Sequence, residues 1–396
     1  MADGADEIVT PGFPAWSLLH RIVFRFFCLY WVLWLSSIWK PVAPFVATRL
    51  FHVSAEAATY RQTGSSDTTL DYVHVFLSFV AALCGTAIWS MLDRRRDQYV
   101  MLHSWLRLLI RYRLAGMLMG YGYSKVFLLQ FPENSLSRLG QEYGSFSPMG
   151  VVWSFMGASA AYTVFSGLAE VTGGVLLFFR RTTALGALVT FGVMTNVVAL
   201  NYCYDISVKL NSTHFLLMSA FLLAPDFQRL VNVFLLNRAA EPADFRLPTF
   251  RTGWPLWASR GVWAIVFALG VIANGVDAYK KYAAPKPRSP LYGLYAVESE
   301  TPDGWYRMAF DTPDSFTIRQ RDGRPGYYQV EYGVAKQMFT IKNGIPFRWS
   351  RQDGNVLLLT GTVGGKETTI RLRRIDETLL LRTRGFHWVQ EYPFNR

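Results

Sequence analysis

The hydrophobic pattern of this chain changes once, close to residue 285. Before that point, seven apolar stretches are long enough, or nearly long enough, to cross a bilayer as helices of about 20 residues. They lie at residues 18–39, 72–92, 113–131, 148–179, 182–201, 213–224 and 262–279. The pattern predicts a polytopic bundle of membrane helices, so the fold class is mainly α.

Three segments depart from a simple spanning pattern. Residues 99–111 and 227–236 mix apolar and charged positions, which is typical of a helix at the membrane surface. The stretch 148–179 is longer than a bilayer requires, so we expect it to be tilted, kinked near its glycines or partly re-entrant. Ser147 and Pro148 supply this stretch with a cap and a first-turn proline.

The second part of the chain alternates apolar and polar residues in short runs. Pairs such as Asp353-Gly354 and Gly364-Gly365 separate these runs, and such pairs form tight turns between antiparallel strands. The clearest runs lie at residues 315–319, 327–331, 337–341, 356–359 and 369–373. They predict an antiparallel meander that forms a small β-barrel or sandwich.

The composition fits a membrane protein and argues against nucleic-acid binding. Hydrophobic residues make up 51% of the chain and charged residues only 17%, which is low for a soluble domain. The net charge of +12 would suit a nucleic-acid partner. However, the basic residues lie mostly in loops beside apolar segments and around the later strands, so they favour membrane topology and we expect no nucleic-acid partner.

The basic loops also orient the predicted bundle. Residues 94–96, 180–181 and 229–260 fall on one side of it, and positively charged loops stay in the cytoplasm. We therefore expect a multi-pass protein of the cell membrane, with a cytoplasmic N-terminus and an extracytoplasmic C-terminal β domain. We expect the first stretch to be a retained anchor and not a cleaved signal peptide, because it is long and follows acidic residues.

Within residues 113–225, one lysine and one glutamate fall where the bilayer midplane is expected. With about 1.5 Å of rise per helical residue, Lys125 lies roughly 18 Å and Glu170 roughly 15 Å from the basic edge. A charge in hydrocarbon costs at least a few kcal/mol, so chains rarely keep one without a structural or functional role. The similar depths predict an intramembrane ion pair between Lys125 and Glu170.

Polar residues are dense near the predicted outer ends of the spans. We expect them to line a cavity that opens outward and binds a small ligand, because irregular polar backbone at that depth needs protein or water around it. The alternative is a solvated rim with structural hydrogen bonds. The predicted ligand-binding residues are Tyr121, Asn196, Asn201, Asp205, Lys209 and His214.

Familiar catalytic motifs are absent from the sequence, so no catalytic residue is assigned. The six histidines and three cysteines are scattered without metal-ligand spacing, and we predict no metal site. A haem or copper site at His74 and His214 is the alternative. Small residues that let helices approach closely are a further feature, at Gly116, Gly120, Gly157, Gly173 and Gly174.

Residues 107–237 resemble the DoxX family of four-helix membrane proteins. The resemblance rests on the Arg-rich start, Gly-Tyr-Ser-Lys125, Glu170-Val-Thr-Gly-Gly-Val-Leu-Leu and an asparagine-bearing fifth helix. Residues 291–295 and 385–396 resemble the tail domain of longer DoxX relatives. The chain then divides into N-terminal spans (1–106), a DoxX-like bundle (107–237), a linker with a seventh span (238–282) and an extracytoplasmic β domain (283–396).

This resemblance implies a membrane subunit that supports a quinone-linked or thiol and sulfur redox system. A quinone is then the expected cofactor, and the expected partners are the lipid bilayer and an extracytoplasmic or redox protein. The resemblance does not decide whether the chain is an enzyme. Two alternatives remain open, namely a small-solute carrier and a membrane scaffold that recruits an extracytoplasmic partner through its β domain.

Overall fold

The computed structural model describes residues 15–242, 261–262, 265–301, 303–322, 324–342 and 344–395. The described residues form two compact units, the first from those within Met1–Gly122 and Leu168–Gly275 and the second from those within Tyr123–Gly167 and Val276–Arg396. Each unit combines separate stretches of chain. The division into four consecutive domains stays a prediction.

Helices dominate the chain up to residue 283, as the hydrophobic pattern predicts. They are α1 (Leu18–Leu35), α2 (Ala43–Arg49), α3 (Thr69–Leu92), α4 (Val100–Val126), α5 (Leu136–Leu139), α6 (Pro148–Ala158), α7 (Ala160–Phe178), α8 (Thr183–Cys203), α9 (Lys209–Leu223), α10 (Phe227–Phe234) and α11 (Asn274–Ala283). A short helix, α12 (Leu380–Thr383), follows the β domain. The predicted surface helix at 99–111 and residues 113–126 of the predicted third span form one continuous helix, α4, and residues 127–131 lie beyond its end.

Among the described residues, four helices are long and apolar enough to cross a membrane: Leu18–Leu35, Thr69–Leu92, Ala160–Phe178 and Arg180–Cys203. This is fewer than the seven predicted spans. The predicted sixth span is the 15-residue helix α9. The predicted seventh span lies partly outside the described residues, and its described part passes through a π-helix (Ala268–Ala273) into α11.

The predicted fourth span is not one helix. It breaks at Ser159, whose extended backbone (φ −134°, ψ 100°) separates α6 from α7. Ser147 caps α6 by accepting a hydrogen bond from the Gly150 N–H at 3.1 Å, with Pro148 in the first turn, as predicted. With 11 residues, α6 is too short to cross a bilayer, so the spanning part of this segment is α7.

The β domain is a closed, eight-stranded antiparallel meander. Its strands are β1 (Gly293–Val297), β2 (Trp305–Thr312), β3 (Ser315–Gln320), β4 (Pro325–Gly333), β5 (Met338–Ile341), β6 (Pro346–Gln352), β7 (Val356–Val363) and β8 (Lys366–Arg374). Each strand pairs with the next, and Tyr295 of β1 opposite Arg374 of β8 closes the barrel. The expectation of a small barrel or sandwich is therefore confirmed as a barrel.

The barrel is shaped by its turns and filled by its inward side chains. Gly364 and Gly365 both have positive φ (58° and 79°), as a two-residue hairpin turn between β7 and β8 requires. Large apolar side chains meet in the interior of the barrel and fill it. They include Met308, Phe310, Phe316, Ile318, Phe339, Phe347, Trp349, Leu357, Leu359, Ile370 and Leu372.

The glycines of the bundle do not all serve helix packing. A Cβ on Gly173 would lie 2.7 Å from Thr190 Oγ1, and one on Gly174 would lie 3.2 Å from the Ala115 carbonyl oxygen. By contrast, a Cβ on Gly116 or Gly120 would meet no described atom within 4 Å. Among the described residues, the packing role predicted for Gly116 and Gly120 is therefore wrong, because no described neighbour approaches their face of α4 closely.

Candidate functional site

The two charges predicted inside the membrane are both buried. Lys125 lies in the last turn of α4, in the second unit, with 6% of its surface exposed. Glu170 lies in α7, in the first unit, with 1% exposed. Ionisable groups that are buried in membrane helices are rare and mark functional sites. The ion pair between them stays a prediction.

The backbone that follows Lys125 is held in an unusual conformation. Leu128 has a φ of 52°, in the left-handed region that residues other than glycine seldom adopt. The Ser124 carbonyl oxygen accepts hydrogen bonds from the N–H groups of Leu129 and Gln130 at 2.7 and 2.9 Å. The helix therefore ends in a defined turn, and a cation in a last turn is favoured by the helix dipole.

This turn leads into a junction between α5 and the barrel, which we call the α5 clamp. Asp311 of β2 accepts hydrogen bonds from the backbone N–H groups of Leu136 (2.7 Å) and Ser137 (3.0 Å). These N–H groups begin α5 and have no partner within the helix. A carboxylate there is stabilised both by charge-assisted hydrogen bonds and by the helix dipole.

Two arginines of the barrel complete the α5 clamp. Arg307 donates to the Gly140 carbonyl oxygen at 2.7 Å, and Arg319 donates to Gln141 Oε1 at 2.8 Å. Burial, followed by the neighbouring Arg307 charge, lowers the pKa of Arg319 despite opposing carboxylate and phenol groups. Leu136 packs into a buried cluster with Leu294. The barrel is therefore fixed to the loop that follows α4.

Most of the predicted ligand-binding residues meet around the start of α9, in the first unit. Asn201 is buried and donates from Nδ2 to Ser212 Oγ at 2.9 Å. Lys209 Nζ donates to Asp205 at 2.8 Å. Asp67 accepts hydrogen bonds from the backbone N–H groups of Lys209 (2.8 Å) and Leu210 (2.9 Å).

His214 is the most enclosed member of this group. Its Nδ1 lies 2.6 Å from the Leu210 carbonyl oxygen, which can only accept, so Nδ1 carries the proton. Its Nε2 lies 2.7 Å from Tyr30 Oη, in a hydrogen bond whose direction depends on the protonation of the ring. The Trp34 ring stacks on the imidazole at 4.2 Å. His214 thus ties α9 to α1.

The other two predicted residues are placed differently. Tyr121 is partly exposed and its ring lies 5.9 Å from that of Phe215 on α9. Asn196 is exposed on α8 and lies outside the hydrogen-bonded group. The structure therefore brings together Asn201, Asp205, Lys209 and His214. Each bonds to another protein group, and ligand binding by the six residues stays a prediction.

The histidines show no sign of a shared metal site. Among the described residues, no three His, Cys, Asp or Glu side chains cluster closely enough to hold a metal ion. His74 Nε2 lies 3.0 Å from the Trp34 carbonyl oxygen, so this ring has a protein partner. The same histidine ties α3 to α1.

The sequence analysis missed a buried arginine network in the first unit. Arg25 is 2% exposed and donates to Tyr99 Oη at 2.7 and 3.0 Å, to Ser90 Oγ at 2.8 Å and to the Asp93 carbonyl oxygen at 2.7 Å. Tyr99 in turn donates to the Asp93 carboxylate at 2.9 Å. The sequence does contain a signal for this network, because Arg25 interrupts the first apolar stretch just as Lys125 and Glu170 interrupt theirs.

Comparison with known proteins places the chain beside a bacterial relative. No model of a known protein family matches the chain, and no solved structure matches it. The resemblance to the DoxX family stays a prediction. Over 126 residues, 32% of this chain, the sequence is 35% identical to the uncharacterized protein YwoB of Bacillus subtilis (strain 168), and the match covers 77% of that protein. The chain therefore belongs to the family of YwoB.

Proposed function

We propose that this protein is a multi-pass membrane scaffold that holds its β-barrel outside the cytoplasm and recruits an extracytoplasmic protein partner. The α5 clamp carries this proposal. Asp311, Arg307 and Arg319 bind the barrel to the loop after α4, so the barrel and this loop form one ordered surface. A surface that is ordered before binding lowers the entropy cost of docking a partner.

The interior of the barrel supports the same function. Phe310, Phe339, Leu359 and Ile370 each expose 1% or less of their surface, and inside the barrel aromatic rings of neighbouring strands stack, Phe310 on Phe316 and Phe339 on Phe347. Small barrels filled in this way have no room for a ligand. The barrel therefore acts through its outer surface and its connections.

Photo-crosslinking in living cells tests partner recruitment. A photoreactive phenylalanine analogue replaces exposed residues of the barrel surface, such as Tyr327, Val334 and Ile345, with buried Phe316 as the matched control. We expect a discrete adduct from at least one exposed position and none from Phe316. Absence of any adduct across a full scan of the outer surface contradicts recruitment.

Topology is part of the proposal and has its own test. An export-dependent phosphatase fused after Arg396 should be active, and the same enzyme fused after Arg96 should be inactive. The basic residues 94–96 directly after α3 support this orientation. Equal activity of the two fusions contradicts the extracytoplasmic barrel.

A quinone-linked or thiol and sulfur redox subunit is the second candidate. It is supported by buried Lys125 and Glu170, because ionisable groups inside membrane helices line proton and substrate paths. The buried Tyr30–His214 hydrogen bond adds two further groups that can donate or accept a proton. Solvent extraction of the purified protein should then yield a quinone that is visible in the absorption spectrum. The amount of quinone should fall in His214→Gln and stay unchanged in exposed Thr195→Ala. If the purified protein is colourless and yields no quinone, this candidate is rejected. Solute counterflow in liposomes would instead favour a small-solute carrier.

A further inference from the structure

Residues 385–395, which we call the aromatic segment, expose large side chains to an unusual degree. The exposed fractions are 78% for Phe386, 91% for Trp388, 76% for Val389 and 84% for Tyr392. Single exposed apolar residues are ordinary, but a run of them with two or more aromatic rings marks an interaction surface. The residue types are those of the membrane interface, where Trp and Tyr are enriched because their rings are apolar with a polar edge.

The aromatic segment leaves the barrel at a defined end. Arg382 of α12 donates to Tyr292 Oη at 3.2 Å, and Tyr292 is the residue before β1. Leu379 and Tyr292 pack against the buried cluster of Leu136 and Leu294. The segment therefore begins beside α5, at the end of the barrel that carries the α5 clamp.

The same end leads towards a candidate membrane span. Arg138 of α5 donates to Ser154 Oγ of α6 at 3.4 Å, and Asn134 donates to the Ser154 carbonyl oxygen at 2.8 Å. Ser159 alone separates α6 from α7, which is long and apolar enough to cross a membrane. The end of the barrel that starts the aromatic segment is thus bound to the peptide that enters a span.

The charges near this end suit anionic headgroups. The Arg288 guanidinium lies 4.6 Å from the centre of the Tyr292 ring, Arg382 bonds to the same tyrosine, and Arg384 precedes the aromatic segment. The acidic groups near these arginines include Glu133, 3.4 Å from Arg382, and Asp376, and Glu391 lies within the aromatic segment. Basic residues beside interfacial aromatic rings are attracted to the phosphates of a bilayer.

We propose that the aromatic segment inserts Phe386, Trp388 and Tyr392 into the headgroup region of the bilayer. The occupant of this surface is the lipid interface and not a protein. This contact would hold the clamped end of the barrel at the membrane surface, independently of any partner on the barrel's outer wall.

Spin-label accessibility in the full chain tests this insertion. A label is placed at Val389→Cys in a background with exposed Cys84 and Cys203 changed to Ser. The protein is reconstituted in nanodiscs of phosphatidylethanolamine and phosphatidylglycerol. Collision rates are measured with oxygen, which concentrates in lipid, and with a water-soluble nickel chelate. Two matched controls are Phe165→Cys on α7, for lipid, and Tyr327→Cys on β4, for water.

We expect the label at position 389 to collide several-fold more with oxygen, relative to the nickel chelate, than the label at position 327. The label at position 165 should give the highest ratio. A ratio at 389 equal to that at 327 places the segment in water and overturns the proposal. Low collision rates with both reagents mean that a protein surface covers the segment, which overturns it as well.

A second variant tests whether the aromatic rings themselves cause the insertion. Trp388→Ser with Tyr392→Ser should return the label at position 389 to the ratio found at position 327. A control change on the barrel wall, Val334→Ser, should leave the ratio at 389 unchanged. If the double change has no effect while the label still reports lipid, the aromatic rings are not the anchor and the proposal fails.

Discussion

The helical unit and the barrel bury different kinds of side chain. Buried residues of the first unit include Arg25, Arg111, Glu170, Asn201 and His214, whereas the barrel interior is almost wholly aromatic and aliphatic. The reason lies in the surroundings of each. Lipid is as apolar as a leucine side chain, so helices associate through hydrogen bonds and close packing, while a barrel in water is stabilised by removing apolar surface from it.

The comparison also explains why polar residues point to function less directly in the bundle. Asn201, Lys209 and His214 were predicted to bind a ligand because they are polar near the ends of apolar stretches. Each bonds to a protein group, and together they attach α9 to α1 and to Asp67. Polar groups that hold helices together and polar groups that bind a ligand leave the same pattern in a sequence.

A change in the barrel core should have the largest effect. Phe310→Ala removes a fully buried ring and leaves a cavity, so we expect about 4 kcal/mol less protection of β2 and β3 against hydrogen exchange. Exposed Tyr327→Ala should change that protection by less than about 0.5 kcal/mol. Equal effects of the two changes would mean that the barrel is not stabilised by its apolar interior.

In the bundle, the corresponding change concerns a charge. Arg25→Met removes the donor shared by Tyr99, Ser90 and Asp93, and should lower the free energy of unfolding by about 3 kcal/mol in a detergent titration. Exposed Arg95→Met serves as the control, with an expected change near zero. A neutral result for Arg25→Met would contradict the view that buried polar networks hold this unit together.

The predicted ion pair can be tested by a double-mutant cycle. Lys125→Met and Glu170→Gln should each destabilise the protein, and the double change should recover part of the loss, with a coupling energy of about 2 kcal/mol. Thermal unfolding of the four proteins in the same lipid provides the measurement. Simple additivity would show that the two charges have separate partners.

Two glycines of α8 differ in how closely neighbouring atoms approach them. A Cβ on Gly186 would lie 2.9 Å from the backbone nitrogen of Leu177, so Gly186→Ala should cost about 2 kcal/mol. Gly192→Ala on the same helix meets no described atom within 4 Å and should be neutral or slightly stabilising, because alanine favours helices. Unfolding midpoints that do not separate the two variants would contradict this packing.

The smallest expected effect is a pH dependence confined to the barrel. Burial alone would raise the pKa of Asp376, but the hydrogen bond and charge of Arg374 and the N–H of Leu294 outweigh it and lower the pKa below 3.8. The carboxylate therefore adds stability above that pH, and the contribution disappears as the pH falls through the lowered pKa. Asp376→Asn should reduce the loss of hydrogen-exchange protection that β1 and β8 show as the pH falls. An unchanged dependence of this protection on pH would mean that Asp376 does not contribute to it.

Local patterns determined much of this fold. Apolar stretches gave α1, α3 and α8, and alternating runs with Asp-Gly and Gly-Gly pairs gave the antiparallel strands of the β domain, because both depend on neighbouring residues. The burial of Lys125 and Glu170 also followed from sequence alone. The patterns did not reveal β1 and β2 clearly, because β1 is apolar throughout and β2 contains the uninterrupted apolar run Met308-Ala309-Phe310, so neither strand alternates.

Tertiary structure decided how these elements act together. The break at Ser159 divides one predicted span into α6 and α7, and next to it a Cβ on Gly157 would lie 2.6 Å from the Pro132 carbonyl oxygen, so α6 lies close to the preceding loop. The α5 clamp joins Asp311 to residues about 175 positions earlier, and the Arg25 network joins α1 to residues some 70 positions later. The sequence by itself determined which residues are apolar, charged or able to turn. Only the folded chain decided which polar groups become partners, because a hydrogen bond depends on distance and direction between residues that the sequence keeps far apart.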